Sequence, residues 1–124
     1  MVTIYIVEGE KDAESLRKLG LSATTNGGGS AGKWNDNYST IFHSANIVII
    51  ADKDVPGRKH AMQAARSLYG KVASLKLLEL PDRDGRQVKD ASDWLAAGGT
   101  REELEQLCNK EKEWSASRHS ESPP

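Results

Sequence analysis

Two aspartates, Asp52 and Asp54, end the apolar run Asn46-Ile47-Val48-Ile49-Ile50-Ala51. Glu8 ends an earlier run, Val2-Thr3-Ile4-Tyr5-Ile6-Val7. Carboxylates forced to close range repel one another unless a cation lies among them. Oxygen-only donors suit a hard dication, so the chemistry open to these three residues together is binding of Mg2+, or of Mn2+ in its place.

Whether they meet depends on the elements that carry them. The run before Asp52 is too short for a typical helix and shows no polar alternation. It predicts a strand buried on both faces, as in a parallel sheet. Parallel strands present their carboxyl ends on one edge, where open α/β sheets bind ligands. Glu8, Asp52 and Asp54 are therefore expected to converge. Taken singly, each has a plainer use: Asp54 as a helix cap, Glu8 as one surface charge among many. Their coincidence at matching strand ends favours a metal site.

The chain has 124 residues, enough for one domain that buries about two thirds of its unfolded surface. A net charge of −1 with 28% charged residues gives a surface of mixed sign, so nucleic-acid contacts must come from local patches. The single cysteine, Cys108, excludes an internal disulfide and any cysteine-rich zinc module; with Leu104 and Leu107 it reads as a buried thiol. No stretch approaches about 18 consecutive apolar residues, and no basic region precedes the first strand. The expectation is a cytoplasmic protein with no membrane partner.

Along the chain, strand and helix patterns alternate. After Glu8 a helix is expected over residues 10–19, with Ala13, Leu16 and Leu19 inward and Gly20 as its stop. Residues 21–25 are expected to form a short strand. Asn26-Gly27-Gly28-Gly29-Ser30-Ala31-Gly32-Lys33 is either an anion-binding loop or a flexible connection. A short helix is expected within residues 34–44, a long one over 55–69 with Ala61, Ala64, Ala65 and Leu68 inward, and a strand over 72–80. Arg58 and Lys59 lie in the first turns of the long helix, where they can solvate its surface or hold phosphate. Lys89-Asp90-Ala91-Ser92-Asp93-Trp94-Leu95 opens a short helix closing at Gly98-Gly99; a parallel fourth strand would bring Asp90 and Asp93 to the acidic edge too. Trp94, Tyr5, Tyr38 and Tyr69 fit core positions. Thr100-Arg101-Glu102-Glu103 has capping-box spacing and starts a last helix to about residue 113. Residues 1–114 then form the domain, and the Ser/Pro-rich residues 115–124 a disordered tail. His43, His60 and His119 share no metal-ligand spacing and read as incidental.

Together these stretches resemble a Toprim domain, the metal-binding module of bacterial primases, type IA and II topoisomerases, some nucleases and recombination proteins. The hallmarks are the glutamate after the first strand, here Glu8, and the Asp-x-Asp after a later one, here Asp52-Lys53-Asp54. Val7-Glu8-Gly9-Glu10-Lys11-Asp12-Ala13, the loop from Gly27 to Lys33, Val55-Pro56-Gly57-Arg58-Lys59 and the Lys89-Asp90 stretch are similar to the Toprim part of phage and plasmid primases and primase–helicases. The resemblance implies an α/β, Rossmann-like sandwich with a mostly parallel four-stranded sheet flanked by helices. It implies metal on Asp52, Asp54, Asp90 and in some members Glu8, acid–base duty for Glu8, and phosphate contacts from Lys33, Arg58 and Lys59. Glu10 and Asp93 match less constrained positions. The implied activity is RNA primer synthesis on a DNA template from nucleotides, as part of a larger replication protein bearing a zinc module or a helicase. A chain without those parts is expected to be incomplete as an enzyme. A Toprim nuclease and a non-catalytic metal- or nucleic-acid-binding module remain alternatives. So does a P-loop nucleotide-binding protein, because Gly27-x4-Gly32-Lys33 satisfies most of that motif; Trp34 stands where its Ser or Thr should be.

Overall fold

The computed structural model describes residues 2–25 and 42–115. Strands β1 (Thr3–Val7), β2 (Ser22–Thr25), β3 (Asn46–Ile50) and β4 (Ser74–Leu78) are accompanied by helices α1 (Glu10–Arg17), α2 (Val55–Leu68), α3 (Ala91–Ala96) and α4 (Arg101–Lys110). The strands form one parallel sheet in the order β2-β1-β3-β4. From β1 the chain steps through α1 to one edge; from β3 it steps through α2 to the other. Right-handed crossovers stepping in opposite directions put their helices on opposite faces.

The two cores follow that rule. Tyr5, Val7, Val48, Ile50 and Leu78 pack against Ala13 and Leu16 of α1, Trp94 of α3 and Leu104 of α4. On the other face Ile6, Ile47, Ile49 and Leu75 meet Ala61, Ala64, Ala65 and Leu68 of α2. β3 is covered on both sides, so successive residues Ile47, Val48, Ile49 and Ile50 are all at most 4% exposed. This is why its sequence shows no alternation.

The expected elements are present with shorter ends. α1 stops at Arg17, and Gly20 takes the left-handed conformation that turns the chain into β2. The last helix ends at Lys110 rather than near residue 113 because the chain then reaches the edge of β4. There the Trp114 backbone N–H donates to Leu75 O at 2.7 Å, and its ring is buried against the α2 side. Tyr5, Trp94 and Cys108 are buried as expected, with the Tyr5 hydroxyl 3.7 Å from Cys108 Sγ. Tyr69 is not a core residue: it is 46% exposed and packs edge-on against Trp114, because the chain leaves the helix there. The glycine run, Lys33, Tyr38 and residues 116–124 lie outside the described residues, as does most of the helix expected over 34–44, whose described end, residues 42–44, is a turn. Among the described residues no helix is long and apolar enough to cross a membrane.

Candidate metal centre

β1 and β3 are neighbours whose crossovers leave in opposite directions. The crevice at their carboxyl ends is therefore a topological switch point, the place where such sheets bind ligands. Glu8 is the residue after β1, and Asp52 and Asp54 follow β3. The segment after β4 folds back onto this edge. Lys53 donates its backbone N–H to Lys89 O at 2.8 Å and its ammonium to Asp82 at 3.0 Å, while Asp82 also accepts from Val88 N at 2.8 Å. The result is a cleft of about 280 Å3 into which Glu8, Asp12, Asp52, Asp54, Lys89 and Asp90 face.

Five carboxylates thus share one cleft, held in different ways. One oxygen each of Asp12, Asp52 and Asp90 lie within 4.8 Å of one another. Asp12 is 5% exposed and accepts from Ser92 N at 3.0 Å and Ser92 Oγ at 2.6 Å, which ties α1 to α3. Asp90 caps α3, accepting from Asp93 N at 2.9 Å, while the Asp93 carboxylate turns back to Lys89 N at 3.0 Å. Asp54 caps α2 through Gly57 N at 2.7 Å and meets the Lys89 ammonium at 3.1 Å. Glu8 is hydrogen-bonded to Asp52 on one side and lies 3.2 Å from His60 Nδ1 on the other.

The electrostatics separate the two aspartates of the Asp-x-Asp pair. Burial pushes Asp52 up to about 8, helped by its hydrogen bond with Glu8 and the charges of Glu8, Asp12 and Asp90. Burial also raises Asp12, against its bonds from Ser92. Asp54 is lowered, first by Gly57 N and then by Lys89. Like charges this concentrated attract a cation for the same reason that Asp52 keeps its proton, and the donors are oxygens throughout. The residues present fit a hard divalent ion.

Between about pH 4 and 8 the folded chain keeps on Asp52 a proton that the unfolded chain releases, so stability falls as pH rises through this window. Asp12 acts in the same sense, whereas Asp54, Asp82 and Glu103 are lowered and matter only in acid. A shift of this size, cut by solvent screening at a half-exposed group, leaves about 2 kcal/mol. The melting temperature in chelator should drop by roughly 5–10 °C from pH 5 to pH 8.5. Added Mg2+ should recover it at the upper end.

The expected phosphate-binding and weaker positions fall mostly outside the cleft. Arg58 pairs with Glu79 at 2.8 Å, Lys59 is exposed, and Glu10 pairs with Arg17 at 2.7 Å. Sequence reasoning did not single out Asp12, Lys89 or His60. For Asp12 a signal existed: it is an acid four residues before Leu16, on the inward stripe of α1, where burial without a partner is costly. His60 is not incidental, since the fold brings its Nδ1 to 3.2 Å from Glu8 Oε1.

The fold and the acidic cleft at its switch point define a Toprim-like α/β protein. The chain belongs to the Toprim-like family, whose model matches residues 5–95. That membership leaves the P-loop alternative without support. Among solved structures, the chain is similar to the primase fragment of the bacteriophage T7 primase–helicase, at 24% identity and a TM-score of 0.63 over 86% of this chain and 44% of that one. It is similar to a DNA primase domain from Pseudomonas aeruginosa, at 22% identity and a TM-score of 0.68 over 91% of this chain and 35% of the other. The Aquifex aeolicus primase, with its zinc-binding and RNA polymerase domains, matches at 21% identity and a TM-score of 0.70 over 95% of this chain and 29% of that one. The chain thus spans less than half the length of each. No curated protein matches it significantly.

Proposed function

We propose that this chain is the Mg2+- or Mn2+-dependent catalytic module of a nucleotidyl-transferring replication protein, of the primase type, working in the cytoplasm on nucleotides and a DNA template. The observation that carries the reading is the meeting of Asp12, Asp52 and Asp90, with Glu8 and Asp54 beside them, at the switch point between β1 and β3. The likeness to primase structures supports the choice of reaction.

In this reading Asp52, Asp12 and Asp90 hold the ion, with Asp54 and Glu8 as further donors. A bound divalent ion would neutralise charge on the phosphates and favour the in-line displacement. Glu8 takes the proton from the 3′-hydroxyl of one nucleotide as that oxygen attacks the α-phosphate of the next, and pyrophosphate leaves. Without an ion, protonated Asp52 hydrogen-bonds Glu8; with the ion held, Asp52 gives up that proton, and Glu8 is left with its contact to His60. Lys89 lines the cleft and supplies positive charge to phosphates there; Arg58, Lys59 and Lys33 would do so for phosphates lying beyond the cleft.

By the same reading the module acts with other domains or subunits, such as a zinc module or a helicase. The chain alone should therefore bind Mn2+ yet make little or no dinucleotide from nucleoside triphosphates on a single-stranded template. Robust template-dependent synthesis by the chain alone would contradict the incompleteness. Cleavage of plasmid or single-stranded DNA that Asp52→Asn abolishes would replace the primase reading with a nuclease. Metal binding without turnover, joined to flanking coding sequence lacking both a zinc module and a helicase, would replace it with a binding module.

A further inference from the structure

We propose that His60 is a positioning residue for Glu8, an inference that rests on the metal-dependent reading above. His60 sits in the second turn of α2, and its Nδ1 lies 3.2 Å from Glu8 Oε1. Both side chains are drawn out of water: Glu8 is 9% exposed and His60 22%. A carboxylate so enclosed needs donors from the protein, and losing one leaves a desolvated acceptor. Solvent has little room to take over. The half-open pocket that Glu8, Asp52, Gly57 and His60 share is otherwise apolar and has room for about one water, about 20 Å3.

Glu8 therefore stands between two partners, His60 on the α2 side and Asp52 on the side of the cleft. An N–H from Nδ1 onto Oε1 fixes the plane of the carboxylate. The lone pairs left over then face Asp52 and the cleft, whether Glu8 serves as ligand or as base. Groups that hold a ligand from behind typically carry about 10–100-fold in metal affinity or activity. His60 and Glu8 are 52 positions apart, so only the fold brings them together.

The test compares Mn2+ titration calorimetry of wild type, His60→Ala and His60→Asn, with melting temperatures of all three. His60→Ala should weaken Mn2+ by about 10-fold. Asn, which offers an amide N–H near the place of Nδ1, should recover most of that loss. Wild-type affinity in His60→Ala, or an Asn variant as weak as Ala, would overturn the proposal. A second measurement needs no metal. In mildly alkaline buffer, nitrogen-15 spectra of the imidazole should show the Nδ1–H tautomer in wild type and a shift toward Nε2–H in Glu8→Ala. An Nε2–H tautomer in wild type would overturn the proposal. Failure of wild type to bind Mn2+ would instead overturn the metal-dependent reading, with the tautomer still deciding whether His60 holds Glu8.

Discussion

Replacing Asp52 with Asn is expected to weaken divalent-metal binding by about two orders of magnitude. Asp52 is the one acid that belongs to the Asp12–Asp52–Asp90 group and also hydrogen-bonds Glu8. At about 4 Å and an effective dielectric near 20, one carboxylate attracts a dication by about 8 kcal/mol before desolvation is subtracted. A net loss of about 3 kcal/mol, roughly 100-fold, is a moderate fraction of that. The same variant should melt no lower than wild type in chelator at pH 8, because it removes a partly buried group that ionises at a cost. Weakened binding with unchanged or raised melting temperature separates a ligand from a structural residue. Calorimetry showing Asp52→Asn within threefold of wild type would sink the assignment.

Gly57→Ala should lower the melting temperature by roughly 10 °C and impair metal binding with it. Gly57 is buried in the first turn of α2, where the acid loop curls over the helix start. A Cβ there would lie 2.6 Å from Asp52 Cβ, 2.7 Å from Asp52 O and 2.7 Å from Asp54 Oδ1. Backbone is among the obstructing atoms, so a rotamer change cannot relieve the clash. Overpacking of this kind costs about 3 kcal/mol at the upper end, and for a domain of this size each kcal/mol shifts melting by about 4 °C. Gly9→Ala is the control. Gly9 also borders the cleft, but its added Cβ would meet nothing within 4 Å. Melting curves that do not distinguish the two variants would show that the loop yields, contrary to this packing.

Much of this arrangement was readable from residue types. The unbroken apolar run of β3 announced a strand covered on both faces, and the parallel sheet it implied put Glu8, Asp52 and Asp54 on one edge. Thr100 and Glu103 announced the start of α4, where Thr100 Oγ1 accepts from Glu103 N at 3.2 Å. What could not be read depends on how helices lie across the sheet. Asp12 points into the cleft because Ser92, 80 residues away, offers it two donors. His60 reaches Glu8 because its turn of α2 lies beside the carboxyl end of β1, and Tyr69 faces outward because the chain turns at the end of α2. Asp54 combines two readings that the sequence left open, since it caps α2 and faces the cleft.

Crystals soaked in Mn2+ and measured at the manganese absorption edge test the metal centre most directly. An anomalous peak bonded to Asp52, within reach of Asp12 and Asp90, is the expected result. A well-soaked crystal with its peak elsewhere, or with none between β1 and β3, would contradict it.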